Sequence, residues 1–350
     1  MSRAARWWLL SDLHLDVSDE DPRHPGRILP EFIRHEFRAA AGPQQHIAFV
    51  GDTFELAGLA EDESLARLES ILARHPDAFR ALEDCAARGV QLHFVCGNHD
   101  VELARPSVAG RLSALLAPTD PTRVRVHPWF LHVPSVLVAE HGHLHHALHR
   151  IPEVLRTGVN GTDELDLPPL AAWHAHPSSS RLSRAGAVAR ACLASERAER
   201  RVREPAYDEL LQSESLRLTL DGTAVRELAR LSRFRTVSAL PLTATRIVLS
   251  AIGGKVSGQA PAAATRVANI LETHGAGVAW YISAHTHRAL ESALESSPTR
   301  YINTGTWSSD IRGQGPDQSD RQAFPYARIN VADDGTTSGG LHYWRPIGAG

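Results

Sequence analysis

Five short apolar runs in this chain each end in a cluster of Asp, Asn, Glu or His, and those ends constrain the fold more than any other feature. The run at 90–95 leads into Cys96-Gly97-Asn98-His99-Asp100, and the run at 7–10 into Ser11-Asp12-Leu13-His14. Residues 47–50 lead into Gly51-Asp52, with Glu55 shortly after. Residues 136–139 lead into Glu140-His141-Gly142-His143, and 278–283 into Ala284-His285-Thr286-His287. A short apolar run bounded by turn residues has the pattern of a buried strand. In open α/β sheets, ligands gather outside the carboxyl ends of the strands. Residues spread over most of the sequence are therefore expected to converge on one place.

The chemistry of the set is that of a metal site. Asp and His suit manganese, iron or zinc, and no cysteine takes part in the motifs. Two ions about 3.5–4 Å apart need a shared ligand, normally a carboxylate. Asp52 is placed for that role, directly after a glycine that lets the backbone turn sharply.

The order D-x-H, G-D, G-N-H-D, H-G-H and A-H-T-H resembles the calcineurin-like metallophosphoesterases. The resemblance covers about residues 7–150 and 277–310, including Tyr301-Ile302-Asn303-Thr304-Gly305-Thr306-Trp307, which is similar to a family turn near the site. It implies that Asp12, His14 and His287 hold one metal, that Asn98, His141 and His285 hold the other, and that Asp52 bridges them. It further implies that His99 meets the phosphate and assists the leaving group, with Asp100 orienting it. His143 and Asn303 are expected to face substrate. Ala284 stands where the family usually has Gly, a departure that removes no ligand. The implied reaction is hydrolysis of a phosphate ester or anhydride by a hydroxide held between two divalent ions, most readily manganese, with iron, zinc and nickel as alternatives.

Composition agrees with a soluble enzyme. The chain has 350 residues, 43% hydrophobic and 22% charged, so it can bury a large core. No run approaches the roughly 20 apolar residues of a membrane span. The opening apolar run is too short for a signal peptide and reads as a first strand. Cys85, Cys96 and Cys192 are widely spaced, which suits a reducing cytoplasm. A formal net charge of −3 weighs against a duplex nuclease, which stays an alternative. A catalytically silent scaffold is the other alternative, against which the complete ligand set argues. The expected partner is a phosphorylated small molecule or nucleotide.

Residues 1–143 and 261–350 are expected to form the two parts of the catalytic core, with 144–260 as a mostly helical cap inserted between them. Helical spacing is visible at 180–203, 221–231 and 262–273. Segment 181–235 carries 12 Arg against 8 Asp or Glu, the pattern of a salt-bridged helix surface, with arginines reaching over the metals to a second phosphate or an anionic head group as the alternative. An insertion placed there resembles that of bacterial UDP-diacylglucosamine pyrophosphatases, which usually carry Arg where this chain has His99. His145, His146 and His149 are expected on a solvated helix face, and His174-Ala175-His176 as a surface pair.

Strands are expected near 7–10, 46–50, 91–96, 123–127, 136–140, 278–283, 300–303, 324–331 and 341–345, and helices near 31–40, 61–74, 77–88 and 107–116. These pieces, and the resemblance, give an α/β four-layer αββα sandwich of two facing mixed sheets.

Overall fold

The computed structural model describes residues 4–17, 24–37, 44–57, 59–145, 227, 260–295, 297–308 and 323–346. Strands β1 (Ala5–Leu10), β2 (Gln44–Val50), β3 (Gln91–Val95) and β4 (Val124–His127) are parallel neighbours. Strands β5 (Phe130–Val133), β6 (Ser135–Glu140), β7 (Val278–Ser283), β8 (Ala289–Ala293) and β9 (Arg300–Thr304) make a second sheet, in the order β5-β6-β7-β9-β8. Strands β10 (Phe324–Val331) and β11 (Thr337–Trp344) then return to the first sheet and add antiparallel beyond β1. Both sheets are mixed, as expected.

The alternation within each strand explains why the sheets stack. In β1, Trp7 and Leu9 join the cluster between the sheets, while Trp8 and Leu10 join the cluster under the helices. In β2, Ala48 and Val50 face the second sheet and Ile47 and Phe49 face the helices. A strand buried on both faces reads as an unbroken apolar run, which is what made these strands legible. Helices α1 (Pro25–Glu36), α2 (Glu61–Arg74), α3 (Pro76–Ala87) and α4 (Pro106–Leu116) cover the outer face of the first sheet through Phe32, Leu68, Phe79 and Leu112. Helix α5 (Ala260–Thr273) packs on β7, giving the fourth layer. No helix among the described residues is long and apolar enough to cross a membrane.

Several elements differ from expectation. Helix α1 begins at Pro25, six residues before the expected start. Pro30 looks like a boundary in sequence, but the nucleus lies upstream: the His24 ring accepts the Gly26 N–H at 3.1 Å, and Pro25 takes the first helical position. Strands β5 and β8 were not expected. Both are short sheet edges, and β8 is too polar to show an apolar run. The helices expected at 180–203 and 221–231 lie outside the described residues, Glu227 apart.

Three buried histidines cross the first sheet on its inner face. His46 Nδ1 lies 3.1 Å from His93 Nε2, His93 Nδ1 lies 3.1 Å from His127 Nε2, and Trp7 stacks on His46 at 3.8 Å. Burial, with Arg125 nearby, pushes His46 and His127 down to about 4. Burial and its two histidine neighbours hold His93 well below its ordinary range. These rings stay neutral in the fold, whereas unfolded histidines take up protons below about pH 6.5. Native stability is therefore full above that pH and falls as pH drops toward about 4, because the unfolded chain binds more protons. Replacing His93→Leu should make this acid limb shallower, read as the urea midpoint against pH for variant and parent. Parallel curves would rule out the buried row as the cause.

Candidate metal centre

The carboxyl ends of the motif strands are brought level by strand register. Leu10 pairs with Phe49, Val50 with Val95, and, in the second sheet, Ala139 with Ile282. The loops continue as a backbone ladder: Asp12 N donates to Gly51 O at 3.1 Å, His14 N to Asp52 O at 3.0 Å, and Leu15 N to Thr53 O at 2.9 Å. Across the sheets, the Ser11 and Thr304 hydroxyls meet at 2.7 Å, and Trp307 N donates to Asp12 O at 3.1 Å.

The backbone is strained at the ligands themselves. Asp12, His14, Asp52, His285 and His287 all have left-handed φ, between 50° and 67°. Such a conformation costs a non-glycine residue about 1–2 kcal/mol. Two glycines show how tightly the loops pack. A Cβ on Gly51, whose φ is +83°, would lie 2.4 Å from the His141 ring, and one on Gly97 would lie 2.1 Å from Asp52 Oδ1. Ala284 is absent from the left-handed set, so a side chain is tolerated where the family usually has Gly.

Asp52 is the hub. Asp12, His14, Asp52 and His287 offer four ligand atoms within 4.8 Å of one another, and Asp52, His141 and His285 form a second such group. His141 Nε2 lies 3.0 Å from Asp52 Oδ2, and His287 Nε2 lies 2.9 Å from Asp12 Oδ1. Two tautomers are fixed from behind. His141 Nδ1 donates to Val50 O at 3.0 Å, and His14 Nδ1 meets Glu55 Oε1 at 2.5 Å, which turns each Nε2 toward the site. Histidines that bind metals are commonly held in this way.

The donor atoms fit divalent ions. His14 Nε2 and Asn98 Oδ1 are buried with no hydrogen-bond partner among the described residues, and Asp12 Oδ1 and His141 Nε2 lie against other members of the set, His287 and Asp52. Unpaired buried polar atoms are costly, and a group of them is what a metal site looks like before the metal supplies the missing bonds. Asn98 sits between Gly97 and His99, whose N–H donates to Asp52 Oδ1 at 2.8 Å.

Charge completes the description. Burial alone would raise the Asp52 carboxyl, but His141, His99 and His14 hold it well below the usual range. Burial likewise opposes ionisation of Asp12, and His287 and His141 prevail. For His99, burial opposes the charge, but Asp52 and Glu55 push the ring up to about 10.

Of the residues expected from sequence, Asp12, His14, Asp52, His141, His285 and His287 come together in these two groups, and three other expectations change. Asp100 does not orient the His99 ring. Its oxygens accept backbone N–H groups, from Gly97 at 2.6 Å and Thr53 at 2.7 Å, so it shapes the loop that carries Asp52. The residue that orients His99 is Glu55, whose Oε2 lies 2.9 Å from His99 Nδ1 while its other oxygen holds His14. Glu55 was visible by its position after Gly51-Asp52, but nothing in the sequence gave it that partner. Asn303 is turned to the backbone: its amide donates to Ala284 O at 2.8 Å and its oxygen accepts Gly305 N–H at 3.0 Å, latching the loop that carries His285. His145 is not on a solvated helix face, for it meets the buried Glu140 at 2.7 Å from a short 3₁₀ turn. His143 is buried beside His141 and His285, with ring centroids 5.4 and 6.4 Å away, and burial together with His141 pushes it down to about 3. His146, His149, His174 and His176 lie outside the described residues.

No family model matches this chain, and no curated protein matches it in sequence. Several solved structures are similar to it, three of which follow. A 5′-nucleotidase from Staphylococcus aureus in complex with alpha-ketoglutarate has 12% identity and a TM-score of 0.38, over 99% of this chain and 55% of that one. Phosphopantetheinyl hydrolase from Mycobacterium tuberculosis has 15% identity and a TM-score of 0.31, over 90% and 94%. Sulfate thiohydrolase SoxB from Thermus thermophilus in complex with glycerol has 13% identity and a TM-score of 0.34, over 97% and 56%. The chain thus spans just over half the length of the first and third. Similarities this low say nothing of its chemistry, which its own ligand atoms must carry. The order of the motifs, the two mixed sheets and the meeting of the motif loops fit the calcineurin-like metallophosphoesterases.

Proposed function

We propose that this protein is a dinuclear-metal-dependent phosphohydrolase acting on a phosphodiester, a nucleotide or a nucleotide-linked pyrophosphate. The observation that carries the reading is Asp52, one buried carboxylate common to two ligand groups, beside which His14 Nε2 is buried with no hydrogen-bond partner among the described residues. Asp12, His14 and His287 would hold one ion with Asp52, and Asn98, His141 and His285 the other. Mixed carboxylate, amide and imidazole donors suit manganese first, with iron, zinc and nickel behind it. When bound, such ions supply Lewis acidity and an activated water.

The chain's own residues supply the proton chemistry. His99 is 37% exposed at its side chain, within reach of a bound substrate, and is held by Glu55 at Nδ1. Its Nε2–H is then free for the oxygen that departs. In hydrolysis the P–O bond to the leaving group breaks, water's oxygen ends on phosphorus, and His99 delivers a proton to the departing oxygen. Segment 144–260 is assigned the role of a cap that selects the substrate. Buried free thiols at Cys85 and Cys96 suit a cytoplasmic setting.

The direct test is a panel of chromogenic phosphomonoesters, phosphodiesters and nucleotide pyrophosphates with added manganese. Turnover of at least one class, abolished by chelation, is expected. For the metals, Asp52→Ala should lose both ions, whereas Asn98→Ala should mainly weaken one. Elemental analysis finding two full equivalents on Asp52→Ala would sink the bridging assignment.

His99→Ala should keep its metals and lose about 10²–10⁴-fold in kcat, the usual scale of general acid–base help. The loss should be smaller for a good leaving group such as nitrophenolate, which needs little protonation. Equal losses for good and poor leaving groups would argue for electrostatic contact instead of proton donation.

A further inference from the structure

We propose that His143 is a substrate contact that favours phosphodiesters and pyrophosphates over phosphomonoesters, an inference that rests on the phosphohydrolase reading. The residue is only 4% exposed, and its Nδ1 is buried with no hydrogen-bond partner among the described residues. An unmet buried nitrogen costs about 1–3 kcal/mol, so packing alone would be better served by an apolar side chain. The nitrogen is not left over from a slack loop. His145, on the same short turn, meets Glu140, and Glu140 is tied in turn to Trp129 at 3.0 Å and to the Tyr281 hydroxyl. The turn that carries His143 is therefore braced by four buried or half-buried groups.

Its position gives the ligand class. His99 belongs to the His14 side of the centre, with ring centroids 4.8 Å apart, and both rings lean on Glu55. His143 belongs to the other side, beside His141 and His285. The two histidines thus flank the ligand set from its two ends. A monoester presents one leaving oxygen, which His99 serves. A diester or pyrophosphate carries a second esterified or phosphoryl group on the same phosphorus, and an imidazole at the far end can hydrogen-bond to it.

The test compares bis(4-nitrophenyl) phosphate with 4-nitrophenyl phosphate on the full-length, manganese-loaded protein. His143→Ala should keep two metals by elemental analysis and lower kcat/KM for the diester, relative to the monoester, by about tenfold, the scale of one lost hydrogen bond to a polar or charged group. His143→Asn, which restores an amide near the Nδ1 position, should recover part of that ratio and guards against a folding defect in the alanine variant. An unchanged ratio, whether both rates fall together or neither moves, would overturn the assignment. Loss of one metal in both variants would instead make His143 a ligand and also overturn it. Wild-type protein that holds two metals and hydrolyses neither ester would overturn the phosphohydrolase reading itself.

Discussion

One buried carboxylate organises this protein. Asp52 stands at the end of β2 with almost no solvent access, and three sets of contacts depend on its position. His141 reaches it from the second sheet, His99 donates its backbone N–H from the G-N-H-D turn, and Gly97 has no side chain because that space belongs to the Asp52 carboxylate. An isolated buried carboxylate would be prohibitively costly; it stays ionised only because several imidazoles surround it. A metal bound there would displace the protons of the histidines that ligate it, since metal ligands must be deprotonated. The left-handed backbone at five ligand residues is the structural cost of packing so many donors around one point. The two apolar layers, one between the sheets and one under the helices, hold that strain in place.

The sequence displayed the skeleton of this arrangement and hid its braces. Strands buried on both faces leave continuous apolar runs, so β1, β2, β3, β6 and β7 and the ligands at their ends could be read directly. The edge strand β8 could not, because Glu291 and its neighbours carry no apolar signal; the same Glu291 accepts the N–H of Leu341 at 2.8 Å and closes the edge of β11. Helix α1 hid its start behind Pro30. Partners are the other hidden layer. Asp100 and Glu55 are both acids close in sequence to ligands, and spacing cannot decide which one touches His99. Asp100 lies at the end of a tight turn whose N–H groups are nearer than any imidazole, so its carboxylate folds back on them. Asn303 was drawn to the site by its motif and is indeed beside it, but every polar atom of its amide is spent on the loop backbone.

The second sheet contributes more than its three candidate ligands, His141, His285 and His287. Its outer face carries a buried polar layer in which Asn303, Ser283 and Tyr301 share hydrogen bonds and Tyr281 stacks against Tyr301 at 5.8 Å before reaching Glu140. Satisfied networks of this kind fix one arrangement of a core. Here the arrangement they fix is the relative placement of the His141 and His285 turns, the two pieces of the site that come from the sheet farther from Asp52.

The central claim is that the two ligand groups are one centre joined through Asp52. Electron paramagnetic resonance of the manganese-loaded protein tests it most directly, because ions that share a ligand are magnetically coupled and isolated ions are not. The account predicts a coupled, multiline dinuclear signal as manganese approaches two equivalents. An uncoupled six-line signal at two bound equivalents, or saturation at one, would contradict it.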